Sequence, residues 1–151
     1  METPPFVTVS GAGSKLPLGL SLGRFIGAVS AIVVIVGAFL PWAKVMGFLS
    51  IAGTDGDGMY TMAAGIAGVI CCVIKKVPIW VTLILGLVVV AIMGYDGYNL
   101  MDMNSGLGDV PAEENPFAAM AQVSIGIGAY ATALGGLGMI VGSIMEMKKK
   151  K

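Results

Sequence analysis

The sequence predicts an all-α integral membrane protein, a four-helix bundle with both termini in the cytoplasm. Three observations carry that expectation. Of 151 residues, 56% are hydrophobic and 12% charged, with a mean hydropathy of +0.89, far from the mixed surface a water-soluble domain of this size needs. Four stretches, about 22–42, 59–74, 79–98 and 117–145, approach the roughly 20 mostly apolar residues that carry a helix across the hydrocarbon core. The basic residues then separate from the acidic ones in the way that sets orientation. Lys15 and Arg24 precede span one, Lys75 and Lys76 join spans two and three, and Lys148 to Lys151 follow span four. The opposite loops hold Asp55, Asp57, Asp102, Asp109, Glu113 and Glu114, with Lys44 their one basic residue.

In chain order, residues 1–21 form a Pro-, Gly- and Ser-rich cytoplasmic leader, 22–146 the membrane domain and 147–151 a basic cytoplasmic tail. Span one reads as an uncleaved anchor, because Gly37 to Trp42 offers no clean small-x-small cleavage site. Span two is short and leans on its flanking glycines and lysines, and the long span four accommodates by tilt or by running on into the cytoplasm. Between spans three and four, residues 101–116 read as a solvated acidic loop with turns at its glycines, asparagine and prolines.

An offset of 70 residues lays Gly56, Gly58, Tyr60, Ala63, Gly65, Gly68 and Ile70 on Gly126, Gly128, Tyr130, Ala133, Gly135, Gly138 and Ile140. One reading is a duplicated hairpin, giving two tandem parallel repeats related by an axis along the membrane normal. The other is a shared way of starting a membrane helix. Under the first, half a turn about that axis exchanges spans one and three and spans two and four.

The strings Leu40-Pro41-Trp42-Ala43, Gly53-Thr54-Asp55-Gly56-Asp57-Gly58, and Val123-Ser124-Ile125-Gly126-Ile127-Gly128 running into Leu134-Gly135-Gly136 resemble those of a broad group of small bacterial four-span proteins. The resemblance covers the chain from about Arg24 to Ile144. It implies the four-span topology and brings no reaction, ligand or catalytic residue; the expected location is the cell's inner membrane.

Glycines supply the strongest physical signal. Gly23-x-x-x-Gly27, Ala64-x-x-x-Gly68 and Gly138-x-x-x-Gly142, with Gly65 and Gly135 between them, put small residues one turn apart, so that helix backbones can approach closely in lipid. These faces predict tight contact within the bundle or between copies. Thr54, Asp55 and Asp57 suggest a fragment of a calcium loop, but the chain enters span two before further ligands appear. They read as a turn in which Thr54 or Asp57 caps that helix. Asp96 is a candidate polar site near the outer rim, within reach of Gln122 or Ser124 if span three is shifted outward.

The remaining groups have plainer readings. Met101 and Met103 among the outer methionines read as packing rather than a copper site. Adjacent Cys71 and Cys72 read as small fillers near the cytoplasm, where thiols stay reduced. With no histidine, no acid–base pair in convergent geometry and no cofactor pattern, enzymatic activity is not expected. Zero net charge removes the basic excess that nucleic acid would call for.

What remains is a structural or accessory subunit that packs through its glycine faces into a homo-oligomer or larger complex. Its partners are lipids, other membrane subunits or copies of itself, with no small-molecule substrate inferred. The alternative is a small oligomeric channel lined by Ser30, Thr82, Thr132 or Ser143.

Overall fold

The computed structural model describes residues 19–45, 49–108 and 123–149. Lys15, Met46, Asp109, Glu113, Glu114, Met120, Gln122 and the last two lysines lie outside them, as does most of the leader. The chain is mostly helical: α1 (Leu22–Phe39), α2 (Gly58–Val73), α3 (Trp80–Gly108) and α4 (Ile127–Lys149). Three segments, Leu22–Phe39, Trp80–Met103 and Ile127–Lys149, are long and apolar enough to cross a membrane. At 16 residues, α2 is the short apolar helix.

Several expected boundaries are corrected. Span one was expected to reach Trp42, yet α1 ends at Phe39 and Leu40 is extended, with φ −81° and ψ 159°. Proline at 41 excludes the helical conformation from the residue before it and cannot itself continue the ladder. Span three does not stop at Tyr98, since α3 runs on to Gly108. Span four starts at Ile127 instead of 117, after a short strand and Gly126, and α4 continues to Lys149.

An all-α chain was expected, but the connections between helices also build a small sheet. Strands β1 (Pro41–Val45), β2 (Leu49–Ala52) and β3 (Val123–Ile125) pair antiparallel in the order β2-β1-β3. Lys44 stands opposite Ser50 on one side and Ser124 on the other, and all three are exposed. A 3-10 turn, Gly53–Asp55, leads from β2 into α2. The sheet marks one end of the molecule; Lys75, Lys76, Lys148 and Lys149 mark the other.

All four helices enter one core. Ala31 and Val34 of α1, Ala64 of α2, Val89 of α3 and Met139 of α4 are buried together, with Val69 and Leu85 against them. The closest pair is α1 with α4. A Cβ on Gly142 would stand 2.7 Å from both the Gly23 carbonyl oxygen and the Gly27 nitrogen, and one on Gly135 would stand 2.8 Å from the Ser30 carbonyl oxygen. Contacts that pair 23 with 142, 30 with 138 and 37 with 128 make these two helices antiparallel. Helix α3 packs on α4 through Gly86 and Gly136, where Cβ atoms would meet Gly136 O and Val89 Cγ1, each at 3.0 Å.

The duplication reading fails at its glycines. Gly58 and Gly128 do occupy matching places at the starts of α2 and α4, and Tyr60 and Tyr130 are both exposed in the first turns. Yet Gly65 packs on Ala31, Val34 and Ile35 of α1, and Gly135 also packs on α1, at Ser30 and Val34. A rotation exchanging α1 with α3 sends the Gly135 contact to α3. Both glycines instead serve one requirement, close approach to the same central helix.

Candidate functional site

Two polar constellations stand at the ends of the bundle. At the lysine-rich end, Arg24 sits in the first turn of α1 with a buried side chain, and its Nε lies 3.8 Å from Oε1 of Glu146 in α4. Its Nη1 donates to the carbonyl oxygens of Cys71 and Cys72 at 3.4 Å and of Ile74 at 3.2 Å. Nη2 donates to those of Lys75 at 3.4 Å and Val77 at 3.1 Å. A helix end leaves four carbonyls without intrahelical partners, and here the planar guanidinium fork gathers those of α2 and its exit loop. The other Glu146 oxygen accepts from the Ser21 hydroxyl, so this helix-start serine bonds to α4 rather than capping α1. Gly19, with φ +60°, adopts the left-handed conformation open to glycine where the chain turns into α1 beside Lys75.

Sequence reading used Arg24 as a charge marker and passed over Glu146. The available signal was an acid in the last turn of an apolar helix that otherwise ends in lysines, an unusual place for a carboxylate unless it has a partner.

At the sheet end, the three strings quoted for the resemblance converge. Trp42 Nε1 donates to the Gly37 carbonyl at 2.9 Å, which closes the end of α1. The indole lies directly over Gly53, where a Cβ would collide with it. The Trp42 carbonyl accepts from Gly126 N–H at 2.6 Å, and Gly126 is in turn pressed onto the Pro41 carbonyl. Gly58 packs against the Gly53 backbone, and Gly128 lies against the ends of α1 at Gly37 and Leu40.

The turn residues do not cap as expected. Asp57 occupies the position before α2 but makes no side-chain bond to the helix. Backbone closes the start instead: Gly56 N–H donates to Gly53 at 3.1 Å, and Tyr60 N–H donates to Asp57 at 3.0 Å. Thr54 is half-buried and Asp55 exposed in the 3-10 turn. Asp57 instead borders, together with Asp96 of α3, a cleft between the sheet and that helix.

The expected grouping of Asp96 with Gln122 and Ser124 takes a different form. Gln122 lies outside the described residues, Ser124 is exposed beside Lys44, and Asp57 is an acid that shares a cleft with Asp96. Among the described residues, no three acidic or cysteine side chains gather closely enough to hold a metal ion.

The small-residue faces are all engaged inside the chain. Gly23 meets Gly142 and Glu146, Gly27 meets Cys72, Gly68 meets Met139, and Gly138 meets Ser30, while Ala64 belongs to the core. Thr82, Thr132 and Ser143 are fully buried in the same interior, so these three do not face outward to line a ring of copies. Cys72 Sγ lies 3.8 Å from Thr82 Oγ1, and both cysteines are free thiols.

Comparison with family models, with curated proteins and with solved structures yields no match to this chain.

Proposed function

We propose that the chain is a four-span protein of the inner membrane with both termini in the cytoplasm, of the kind its resemblance to small bacterial four-span proteins implies. In that reading it is a non-enzymatic structural or accessory subunit, held in a homo-oligomer or a larger membrane complex. The observation that carries it is the division between inward and outward residues. Gly23, Gly27, Gly65, Gly68, Gly135 and Gly142 face neighbouring helices, whereas Val29, Ile32, Val36, Leu87, Leu134 and Val141 are exposed, a surface suited to lipid tails or to other apolar helices. Because the glycine faces are occupied within the chain, association uses this outer aliphatic surface and the sheet end.

Orientation rests on the charges. Lys75, Lys76, Lys148 and Lys149 are exposed at the end where Arg24 and Glu146 pair, and such an end stays in the cytoplasm. Sixteen residues of α2 span about 24 Å at 1.5 Å each, short of the roughly 30 Å hydrocarbon core. The lysines after it reach the interface with their long stems. A non-enzymatic role is supported by the surroundings of the thiols: Cys72 is buried against Thr82, and the sequence holds no histidine to act as its base.

Extraction from native membranes in a mild detergent, followed by native mass measurement, tests the assignment. A particle larger than the monomer, dissociated by harsh detergent, is expected. A monomer after both native-nanodisc extraction and in-membrane crosslinking overturns the subunit role.

A further inference from the structure

At the sheet end two clefts meet at one side chain. The first, of about 140 Å³, lies between α3 and α4 and is walled by Trp42, Met93, Gly97, Leu100, Ile125 and Tyr130, with Asp96 as its acidic group. That volume is comparable with the roughly 150 Å³ apolar cavity that takes up benzene in an engineered protein. The second, of about 330 Å³, opens between the sheet and α3 and is bordered by Asp55, Asp57 and Asn99, sharing Trp42, Asp96 and Leu100 with the first. Asp96 thus stands where an apolar space gives way to a polar one.

The charges there are one-sided. Asp57 and Asp96 border the same cleft, where two carboxylates repel unless a proton or a cation lies between them, and among the described residues no lysine or arginine lines either cleft. Lys44 is exposed on β1 beside Ser50 and Ser124. Calcium takes six to eight oxygens, which two carboxyls do not supply. A phosphate-bearing headgroup meets like charge from Asp55, Asp57 and Asp96. An organic cation with an apolar body suits both halves, and Trp42, a residue type that attracts cations, lines each of them.

We propose that these joined clefts bind a phosphate-free lipophilic amine, its ammonium against the Asp57–Asp96 pair and its aryl or short alkyl group in the apolar cleft between α3 and α4. Gly97 provides a way to block the site without disturbing the fold. It lines the apolar cleft, and a Cβ there would meet nothing within 4 Å, so a larger side chain grows into the cavity.

The experiment uses the full-length chain in phosphatidylcholine nanodiscs. The sequence has two tryptophans, so Trp80→Phe leaves Trp42 as the fluorescent reporter. It is titrated with 2-phenylethylammonium and with the uncharged isostere 2-phenylethanol. The ammonium is expected to bind saturably and the alcohol at least about tenfold more weakly, as the loss of a charge-assisted bond implies. Asp96→Asn should weaken ammonium binding by a similar factor, and Gly97→Val should abolish it with an unchanged thermal midpoint. If Asp96→Asn does not fold, the Gly97→Val titration and the ammonium–alcohol comparison still decide. Equal binding of the alcohol, retained binding in Gly97→Val, or no saturable ammonium binding overturns the proposal.

Discussion

The Arg24 guanidinium of α1 and the Glu146 carboxylate of α4 lie 3.8 Å apart, Nε to Oε1, with both side chains more than nine-tenths buried. Their removal is not symmetric in effect. Arg24→Met leaves Glu146 buried without its cation and also frees carbonyls at the end of α2, so a loss of about 3–5 kcal/mol is expected. Glu146→Gln keeps an acceptor for Ser21 and should cost less. Replacing both residues by methionine should recover part of the single-variant loss, because it leaves no uncompensated charge. Reversible unfolding in mixed micelles measures all three, and an Arg24→Met loss below that of Glu146→Gln contradicts the assignment.

Glycines predict opposite outcomes according to their surroundings. Gly142→Ala places a Cβ 2.7 Å from the Gly23 carbonyl oxygen and should destabilise by about 1–3 kcal/mol, the usual cost of overpacking. Gly94→Ala meets nothing within 4 Å and should be neutral or stabilising by up to about 1 kcal/mol, since alanine is the better helix former. Thermal midpoints of the purified variants check the contrast. Because Gly142 packs inside the chain, its effect should appear in the unfolding of the monomer, even where oligomer size is unchanged.

Trp42 and Gly53 should be energetically coupled. Trp42→Ala removes a large buried ring together with its bond to Gly37, an expected loss of about 3–5 kcal/mol. Gly53→Ala drives a methyl into that ring and should destabilise strongly in the wild-type background. Once Trp42 is alanine, the same methyl has room. A double-mutant cycle showing simple additivity would contradict the packing.

Orientation is read by labelling intact cells with a membrane-impermeant maleimide, in a background carrying Cys71→Ala and Cys72→Ala. Asp55→Cys should react and Lys75→Cys should react only after permeabilisation, as basic flanks resist translocation. Labelling at 75 in intact cells reverses the topology.

The helices were legible as segments, while their ends and faces were less so. Hydropathy located all four, yet α1 stops at Phe39 because Pro41 ends the ladder, and α3 continues ten residues past Tyr98 to Gly108 through Asp102 and Ser105, where composition suggested a loop. The glycine pattern correctly marked close contact and misled about its symmetry, since Gly65 and Gly135 both answer to α1. Asp57 and Asp96 were each singled out; their place on one cleft was not, because one belongs to the start of α2 and the other to α3.

Composition by itself determined that this chain is mostly helical, with segments long and apolar enough to cross a membrane, and it separated the basic from the acidic ends. Those properties belong to short stretches of chain and to the solvent they suit, so they are written locally. Only the tertiary structure decided which small-residue faces meet and that Arg24 closes the end of α2. It also brought the aspartate–glycine and isoleucine–glycine strings together at the Pro41–Trp42 segment. Such contacts join positions as distant as Ser21 and Glu146, 125 residues apart, and arise when backbones without side chains between them approach closely enough to bury polar groups that lipid cannot satisfy.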